Sequence, residues 1–246
     1  MRRLVLALAL FASPALAEHP DLTGFWNLDF GPPAAVSKEM TDALPPNTVV
    51  IQDTGVVEFP QNEYGGLKLK PAALAHAQAW KPTDEMTLTR VCAAPSIVYA
   101  IQGPFPFEVY QTDGMIVFKY EYFDQTRVIF MDGRGHPPAD APHSKMGHSI
   151  GHWEGDELVI DTTHLEPSTI TNNGLDHSAN IHMIERYRKV GDTLVATEWF
   201  EDPEVLDNNG ARLIQWKKHP GEYVLPYDCD PSIAEEYRET GGADGE

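Results

Sequence analysis

The sequence predicts an all-β protein, an antiparallel meander that closes into a barrel or a sandwich, with one short helix near residues 71–80. Short segments of strand-forming residues recur at regular spacing in the second half of the chain. Asp-Gly or Gly-Asp dipeptides separate several of them, at 113–114, 132–133, 155–156 and 191–192. Such dipeptides favour hairpin turns, and short strands joined by turns are typical of antiparallel barrels and sandwiches.

Each predicted element has a local reason. In the segment 115–122, Ile116, Phe118 and Tyr120 share one face of a strand, because successive side chains in a strand alternate between faces. In the segment 71–80, a proline in the first turn precedes an alanine-rich run, which favours a helix. Further strands are predicted at residues 24–28, 107–111, 127–132, 149–153, 157–162, 181–189, 193–200, 211–217 and 223–225, with two short ones within 49–59.

The first predicted strand carries a Gly24-x-Trp26 pair, which resembles the opening motif of lipocalins. This short match favours a lipocalin-like barrel. A closed barrel of about eight strands leaves room for side chains or for one small ligand.

The N-terminus predicts an exported protein. Arg2 and Arg3 precede an apolar stretch, and Ala15-Leu16-Ala17 is a typical signal-peptidase site, so residues 1–17 are predicted to be a cleavable signal peptide. The apolar stretch is too short for a bilayer, which takes roughly 20 residues. We expect a periplasmic or secreted protein without membrane insertion, with a single β-rich domain over 18–231 and an acidic flexible tail over 232–246.

The charge of the chain restricts its partners. The formal net charge is −19, and loss of Arg2 and Arg3 with the signal peptide takes it to −21. A polyanion would be repelled, so nucleic acid and anionic membrane surfaces are not expected as partners, and the acidity itself indicates solubility in a secreted protein. The expected partner is a small-molecule ligand. Nucleotide cofactors are scarce outside the cytoplasm, so no cofactor is expected. The sequence leaves the oligomeric state open.

The chain has two cysteines, Cys92 and Cys229. An even pair in an oxidising compartment predicts a disulfide, and closing so long a loop stabilises a fold by about 4–5 kcal/mol in the chain-entropy model. The alternative is two separately buried thiols.

Histidines are concentrated between residues 136 and 182. His148 and His152 would lie roughly 13 Å apart on a strand, so they cannot bind one metal ion, and a metal site would need His177 or His182 from another strand. Serine catalysis at Ser149 or Ser178 lacks the G-x-S-x-G elbow. No metal ligand is therefore assigned, although a metal-dependent site stays open.

General acid–base chemistry is the more open possibility. The candidate catalytic residues are His148, His177, Asp132 and Glu185, because a histidine near its ordinary pKa of about 6.5 suits proton transfer. A common site requires His148, His177 and Glu185 within about 5 Å of each other. The alternative for Asp132 is turn chemistry. The candidate ligand-binding residues are Arg127, Arg134, His136, Trp153 and Glu121.

The pairing of Arg127 has two alternatives. Glu121 and Arg127 are six residues apart across a short turn, so they could form a cross-strand ion pair. If such charges point into the barrel, they need partners there and become candidate ligand contacts. Glu185 with Arg186 is a second possible rim ion pair.

Taken together, these segments resemble a large family of secreted bacterial proteins found in sphingomonads, other proteobacteria and acidobacteria. The matching stretches are Cys92-x-x-Pro95, PFEVYQTDGMIVFKYEYFDQTRVIFMDGRGHP at 106–137, GHSIGHWEGDELVIDTTHL at 147–165 and GLDHSANIHMIERYRKVGDTLVATEWFEDP at 174–203. The positions that match the family pattern are Glu121, Arg127, Asp132, Arg134, His136, His148, Ser149, Trp153, Glu154, Asp156, Asp161, His177, Ser178, Glu185, Arg186, Asp202 and Pro203.

The resemblance implies export and a compact β-rich domain, but no particular reaction. The YVLPYDCD stretch around Cys229 is similar to a late Tyr-x-Cys pattern in the family, which supports the disulfide. After Pro203 the chain departs from the Pro-Trp with which family members usually continue, so the resemblance says little about the rim of the last strands.

Two main functions remain. The first is binding of a small, largely apolar or aromatic organic ligand in a barrel pocket, with Arg127, Arg134, His148, His177 and Glu185 as its polar contacts. The second is a cofactor-independent lyase, isomerase or hydrolase, with His148 or His177 as the general base and Asp132 or Glu185 orienting it. A metal-dependent version of that site is the third possibility.

Overall fold

A computed structural model describes residues 19–29, 38–52 and 59–239, so the predicted signal peptide lies outside the described residues. The strands are β1 (Gly24–Leu28), β2 (Thr48–Val50), β3 (Phe107–Gln111), β4 (Met115–Tyr120), β5 (Thr126–Phe130), β6 (His148–Glu154), β7 (Glu157–Thr163), β8 (Ser168–Thr171), β9 (Leu175–His177), β10 (His182–Val190), β11 (Thr193–Glu201) and β12 (Asn209–Lys218). The α-helices are α1 (Lys38–Asp42), α2 (Pro71–Ala79), α3 (Ile97–Ala100) and α4 (Ile233–Glu239).

Nine strands form a closed barrel in the order β1-β3-β4-β5-β6-β7-β10-β11-β12, and β12 pairs with β1 to complete it. This confirms the predicted all-β barrel. Strand β2 adds to β12 outside the ring, in a parallel pairing. The β8–β9 hairpin, which was not predicted, forms a separate two-stranded sheet.

The predicted meander is not antiparallel throughout, because β5 and β6 are parallel. A closed ring with an odd number of strands cannot alternate in direction at every step, so at least one neighbouring pair must run parallel. Residues 131–147 connect the two strands of this pair, and this connection is long enough to return from the end of β5 to the start of β6.

The inward-pointing side chains of the barrel strands line its interior. Rings dominate one part of it, where Phe107 lies 5.3 Å from Trp216 and 5.4 Å from Phe118 between ring centroids. Tyr187 stacks on Trp216 at 5.9 Å. All these side chains are buried, and they anchor one hydrophobic core.

A plug formed by α3 and the β8 strand, which pack on each other, contacts the barrel interior. The buried guanidinium of Arg212, an inward residue of β12, donates hydrogen bonds to the carbonyl oxygens of Val98 at 2.9 Å and Ile170 at 2.5 Å. The plug is therefore attached to the barrel wall by a charged side chain.

Of the remaining fold predictions, some are confirmed and one is wrong. The helix near 71–80 is confirmed as α2, and the Cys92–Cys229 disulfide is confirmed. The expected strand at 223–225 is wrong: it belongs to an extended segment, residues 219–232, which we call the C-terminal strap. The predicted tail contains α4, and residues 240–246 lie outside the described residues. No helix within the described ranges is long and apolar enough to cross a membrane.

Candidate functional site

The structure does not bring the predicted catalytic residues together. Glu185 points into the barrel, whereas His148 lies on the outer wall. His177 lies on β9 in the separate small sheet, and Asp132 is in the exposed connection after β5. The expected common site of His148, His177 and Glu185 is therefore not formed, because the alternation of β6 and β10 directs His148 and Glu185 to opposite sides of the barrel wall.

Arg127 and Glu185 form an ion pair inside the barrel, where they are 1% and 0% exposed. Arg127 NH1 donates to Glu185 Oε1 at 2.9 Å, and NH2 donates to Glu185 Oε2. Arg127 also donates to Ser149 Oγ at 3.0 Å and to Thr162 Oγ1 at 2.7 Å. This bidentate pair gives each buried charge a hydrogen-bonded partner of opposite sign, without which burial of the charge would be strongly destabilising.

The two ion pairs considered as alternatives, Glu121 with Arg127 and Glu185 with Arg186, are not formed. Glu121 accepts a hydrogen bond from the backbone N–H of Leu225 in the strap at 2.9 Å. Arg186 points outward and pairs with Glu154 and Glu157. Arg127 and Glu185 have inward positions on their strands, so neither can reach those partners.

A second buried pair, Glu198 with Arg212, adjoins the first and was missed by the sequence reasoning. Arg212 NH1 donates to Glu198 Oε2 at 3.0 Å, and both side chains are buried. Glu198 is the cross-strand neighbour of Glu185. Burial raises the pKa of Glu198 to about 7, and the Glu185 charge adds to the rise although Arg212 opposes it. The available sequence signal was alternation, since Glu198 shares a strand face with the apolar Phe200 and Arg212 shares one with the apolar Trp216.

Four polar side chains form a connected chain on the outer wall, and we call His148, His136, Asp161 and His182 the histidine relay. Nδ1 of His148 lies 2.9 Å from Nδ1 of His136. Nε2 of His136 and Nε2 of His182 lie 3.1 and 2.8 Å from Oδ1 of Asp161. One carboxylate oxygen thus joins histidines from the 131–147 connection and from β10.

The strand register explains this arrangement. Thr163 of β7 faces His148 of β6, and Asp161 of β7 faces Ile184 of β10, which shares a face with His182, so both histidines lie on the outer face. Asp161 lies two residues along β7, on the same face. His136 then comes from the connection that the parallel pair requires.

The hydrogen bonds assign the tautomers of the relay. A carboxylate only accepts, so His136 and His182 donate their Nε2–H groups to Asp161. Nδ1 of a neutral His136 is then an acceptor, and His148 must donate its Nδ1–H to it. This leaves the lone pair of His148 Nε2 directed away from the relay.

The environment separates the pKa values of the two terminal histidines. Burial lowers the pKa of His148. The hydrogen bond to Asp161 raises the pKa of His182. Burial alone raises the pKa of Asp161, but the hydrogen bonds from His182 and His136 outweigh it and lower that pKa. The relay thus favours a neutral His148 and a protonated His182.

Aromatic side chains flank both ends of the relay. The Phe130 ring stacks on His148 with centroids 5.3 Å apart, and the Trp199 ring lies perpendicular to His182 at 6.0 Å. The Arg134 guanidinium lies 3.9 Å above Phe130 and pairs with Asp132. The hydrogen bond from Arg134 lowers the pKa of Asp132 to about 2, so this carboxylate is held ionised beside the relay.

His177 contacts a serine that the sequence did not indicate. Ser96 Oγ lies 2.7 Å from His177 Nε2, and His177 Nδ1 donates to the carbonyl of Ser178 at 2.8 Å. Burial lowers the pKa of His177, which favours a neutral ring that accepts from Ser96. Both side chains are buried, so this pair fastens α3 to β9. Trp153, the remaining candidate, stacks on His19 with ring centroids 4.9 Å apart.

In the part of the chain that the structure describes, no three histidine, cysteine or carboxylate side chains converge with the geometry of a metal site. The fold and contacts define a closed β-barrel with two ion pairs buried in a hydrophobic core and a histidine relay on its outer wall. Comparison of the chain with protein-family models, curated proteins and solved structures finds no match. The resemblance to the secreted bacterial family therefore stays a prediction.

Proposed function

We propose that this protein is an exported acid–base enzyme, a lyase or isomerase that acts on a small organic molecule with an apolar or aromatic part at the histidine relay. The observation that carries the proposal is the Asp161 oxygen shared by His136 and His182. It supplies a fixed hydrogen-bond network with a base at one end and an acid at the other.

His148 is the proposed general base and His182 the proposed general acid. Groups whose environments move their pKa values apart take opposite roles in proton transfer. Two strand spacings put the two backbones about 10 Å apart, so the side chains can address two positions of one small substrate. Removal of one proton by His148 and delivery of another by His182 is the proton balance of an elimination or an isomerisation.

The neighbours of the relay support a small, largely apolar or aromatic substrate. Phe130 and Trp199 provide ring surface at its two ends. His136, His148 and His182 are only partly buried, so a solute can approach them from outside the barrel. No cofactor enters the proposed chemistry, which uses side chains alone.

Deuterium exchange tests the proposal without knowledge of the natural substrate. A panel of aromatic β-hydroxy ketones and ketones is incubated with the protein in D₂O, and NMR follows deuterium uptake at carbon together with elimination. We expect turnover of at least one member by the wild type, and a loss of at least about 100-fold in His148→Gln, consistent with the usual contribution of a general base.

The control for this experiment is His152→Gln. His152 lies on the same strand and the same outer face, but it contacts Glu154 outside the relay. Its variant should keep wild-type turnover. Equal rates for the wild type and His148→Gln would overturn the proposed role of the relay.

Export is the second part of the proposal. It rests on the predicted signal peptide over residues 1–17, and the Cys92–Cys229 disulfide is compatible with an oxidising compartment. Expression of the full chain in a bacterium, followed by N-terminal sequencing of the periplasmic protein, should give Glu18 as the first residue. A protein that stays in the cytoplasm with Met1 intact would exclude this localisation.

A further inference from the structure

Several polar atoms in the barrel interior have no hydrogen-bond partner among the described residues. Three of them belong to inward side chains of the barrel wall next to the two ion pairs: Tyr120 Oη, Glu198 Oε1 and Arg212 Nε. A fourth, Trp216 Nε1, lies deeper among the aromatic rings. Buried polar atoms are almost always partnered, and each exception requires an explanation.

The three atoms surround one charged layer. The charges of Arg127, Glu185 and Glu198 act on the Tyr120 hydroxyl, and the Arg127 guanidinium lies close enough to be its hydrogen-bond donor. The O–H of Tyr120 itself has no acceptor within the part of the chain that the structure describes. Glu198 and Arg212 are bonded to each other through Glu198 Oε2, which leaves Oε1 of one and Nε of the other unpaired. Together they present a hydrogen-bond acceptor, a donor and a hydroxyl that can serve as either.

The charge of the layer restricts what could fill it. Two guanidinium groups face two carboxyl groups, so the charges are matched in number once Glu198 is ionised, above about pH 7. An ion entering this buried layer would remain without a counter-charge, which burial makes unfavourable. A neutral molecule that both donates and accepts hydrogen bonds has no such cost. Flat rings nearby, Tyr187 and Phe118, favour a planar one.

The β5–β6 seam is the weakest closure of the barrel. Strand β5 pairs with β4 through five residues, and β6 pairs with β7 through seven, but β5 and β6 share two pairings, Ile129 with Ser149 and Phe130 with Ile150. On the inner side the hydrogen bond from Arg127 to Ser149 also crosses the seam. Few bonds must break to part these strands, and parting them exposes the charged layer.

We propose that the barrel interior is a second binding site, which takes one small, uncharged, planar molecule carrying a hydrogen-bond donor and an acceptor, and that the molecule enters through the β5–β6 seam. Aromatic amides and phenols have this chemistry. The site is separated from the relay by the barrel wall, so it does not depend on the proposed acid–base activity.

Calorimetry with benzamide tests the site. We expect saturable binding of one molecule to the wild type and binding at least 5-fold weaker in Tyr120→Phe, which removes the hydroxyl and keeps the ring. Tyr110→Phe is the matched control, because Tyr110 is exposed on β3, and it should bind like the wild type. Absence of saturable binding of both benzamide and phenol up to about 10 mM would overturn the proposal. A crystal structure grown with benzamide that shows ordered water alone on the unpaired atoms would also overturn it.

Hydrogen exchange tests the entrance. The backbone amides that point across the seam are those of Phe130 and Gly151. They should exchange at least 100-fold faster than the amides in the long β10–β11 ladder, and benzamide should slow their exchange. The unliganded seam exchanging as slowly as β10–β11 would refute this route. The seam measurement also remains informative if Tyr120→Phe fails to fold.

Discussion

At the scale of single residues, the charged layer inside the barrel is tolerated because the side chains are bonded to each other. Arg127 places its three guanidinium nitrogens on Glu185, Ser149 and Thr162, and Tyr187 donates to the same carboxylate at 2.8 Å. Removing one partner of such a buried pair lowers the free energy of unfolding by more than the intact pair adds to it, because the other partner remains as an uncompensated buried charge.

Arg127→Met should therefore lower the free energy of unfolding by about 3–5 kcal/mol, because Glu185 stays buried without its cation. The double variant Arg127→Met with Glu185→Leu should recover most of this loss. Urea unfolding monitored by tryptophan fluorescence measures both. The control is Arg134→Met, which removes an exposed ion pair and should change the stability by at most about 1 kcal/mol. If Arg127→Met were as stable as Arg134→Met, the buried Arg127–Glu185 pair would not stabilise the fold as proposed.

Glu198 gives the fold a pH dependence. Its pKa is raised to about 7 by burial, above the ordinary value of 4.5, so the folded protein binds a proton more tightly than the unfolded chain. The free energy of unfolding therefore falls as the pH rises from about 4.5 through 7, by up to about 3 kcal/mol.

Glu198→Gln carries a neutral side chain of the same size at every pH. The wild type should lose stability relative to this variant between pH 5 and pH 8, and the two should converge near pH 4.5. Urea midpoints measured across this range test the prediction. Parallel pH profiles of the wild type and the variant would show that Glu198 ionises at its ordinary pKa.

At the scale of elements, the sequence was sufficient wherever local chemistry decides the structure. The hairpins follow from Asp-Gly and Gly-Asp turns and from alternation in β4, and α2 follows from its proline and alanines. The parallel β5–β6 pair could not be predicted this way, because it depends on the strand count of the closed ring. The predicted catalytic residues are separated in the structure for the same reason. His148 and Glu185 occupy opposite faces of the barrel wall, and only the strand register reveals which face is inside.

Gly147 shows how tightly the start of β6 is fixed. Its φ is +63°, and a Cβ there would lie 2.6 Å from the carbonyl oxygen of Thr163. Gly155 in the β6–β7 turn has the same φ but no atom within 4 Å of an added Cβ. Both alanine variants carry the backbone strain of the left-handed region, which is about 1–2 kcal/mol.

Gly147→Ala should consequently destabilise the protein by more than Gly155→Ala, and the difference isolates the steric contact beside His148. Thermal unfolding of the two variants gives the comparison. The relay should also be displaced in Gly147→Ala, which two-dimensional NMR of the histidine rings can detect. Equal losses of stability in the two variants would mean that β6 can shift to accept the methyl group.

At the scale of the whole molecule, the C-terminal strap is attached to the barrel by hydrogen bonds, ring packing and the disulfide. The strap contacts the β4–β5 turn through backbone N–H groups of Leu225 and Tyr227, which donate to Glu121 and Asp124. The Tyr227 ring packs against Phe123 with centroids 4.5 Å apart. Cys229 then joins Cys92 across 137 residues of sequence.

Removal of the disulfide tests how this closure is shared between the covalent bond and the contacts. In the chain-entropy model, Cys92→Ser with Cys229→Ser lowers the free energy of unfolding by about 4–5 kcal/mol, because the unfolded chain regains a long loop. The strap contacts persist without the bond, so the folded barrel should keep its structure. Limited proteolysis and hydrogen exchange should then show faster opening at residues 219–232 and unchanged protection in β10 and β11. If protection is lost equally in the strap and in β10–β11, the disulfide holds the barrel itself closed, and the strap is an integral part of the fold instead of an attachment to it.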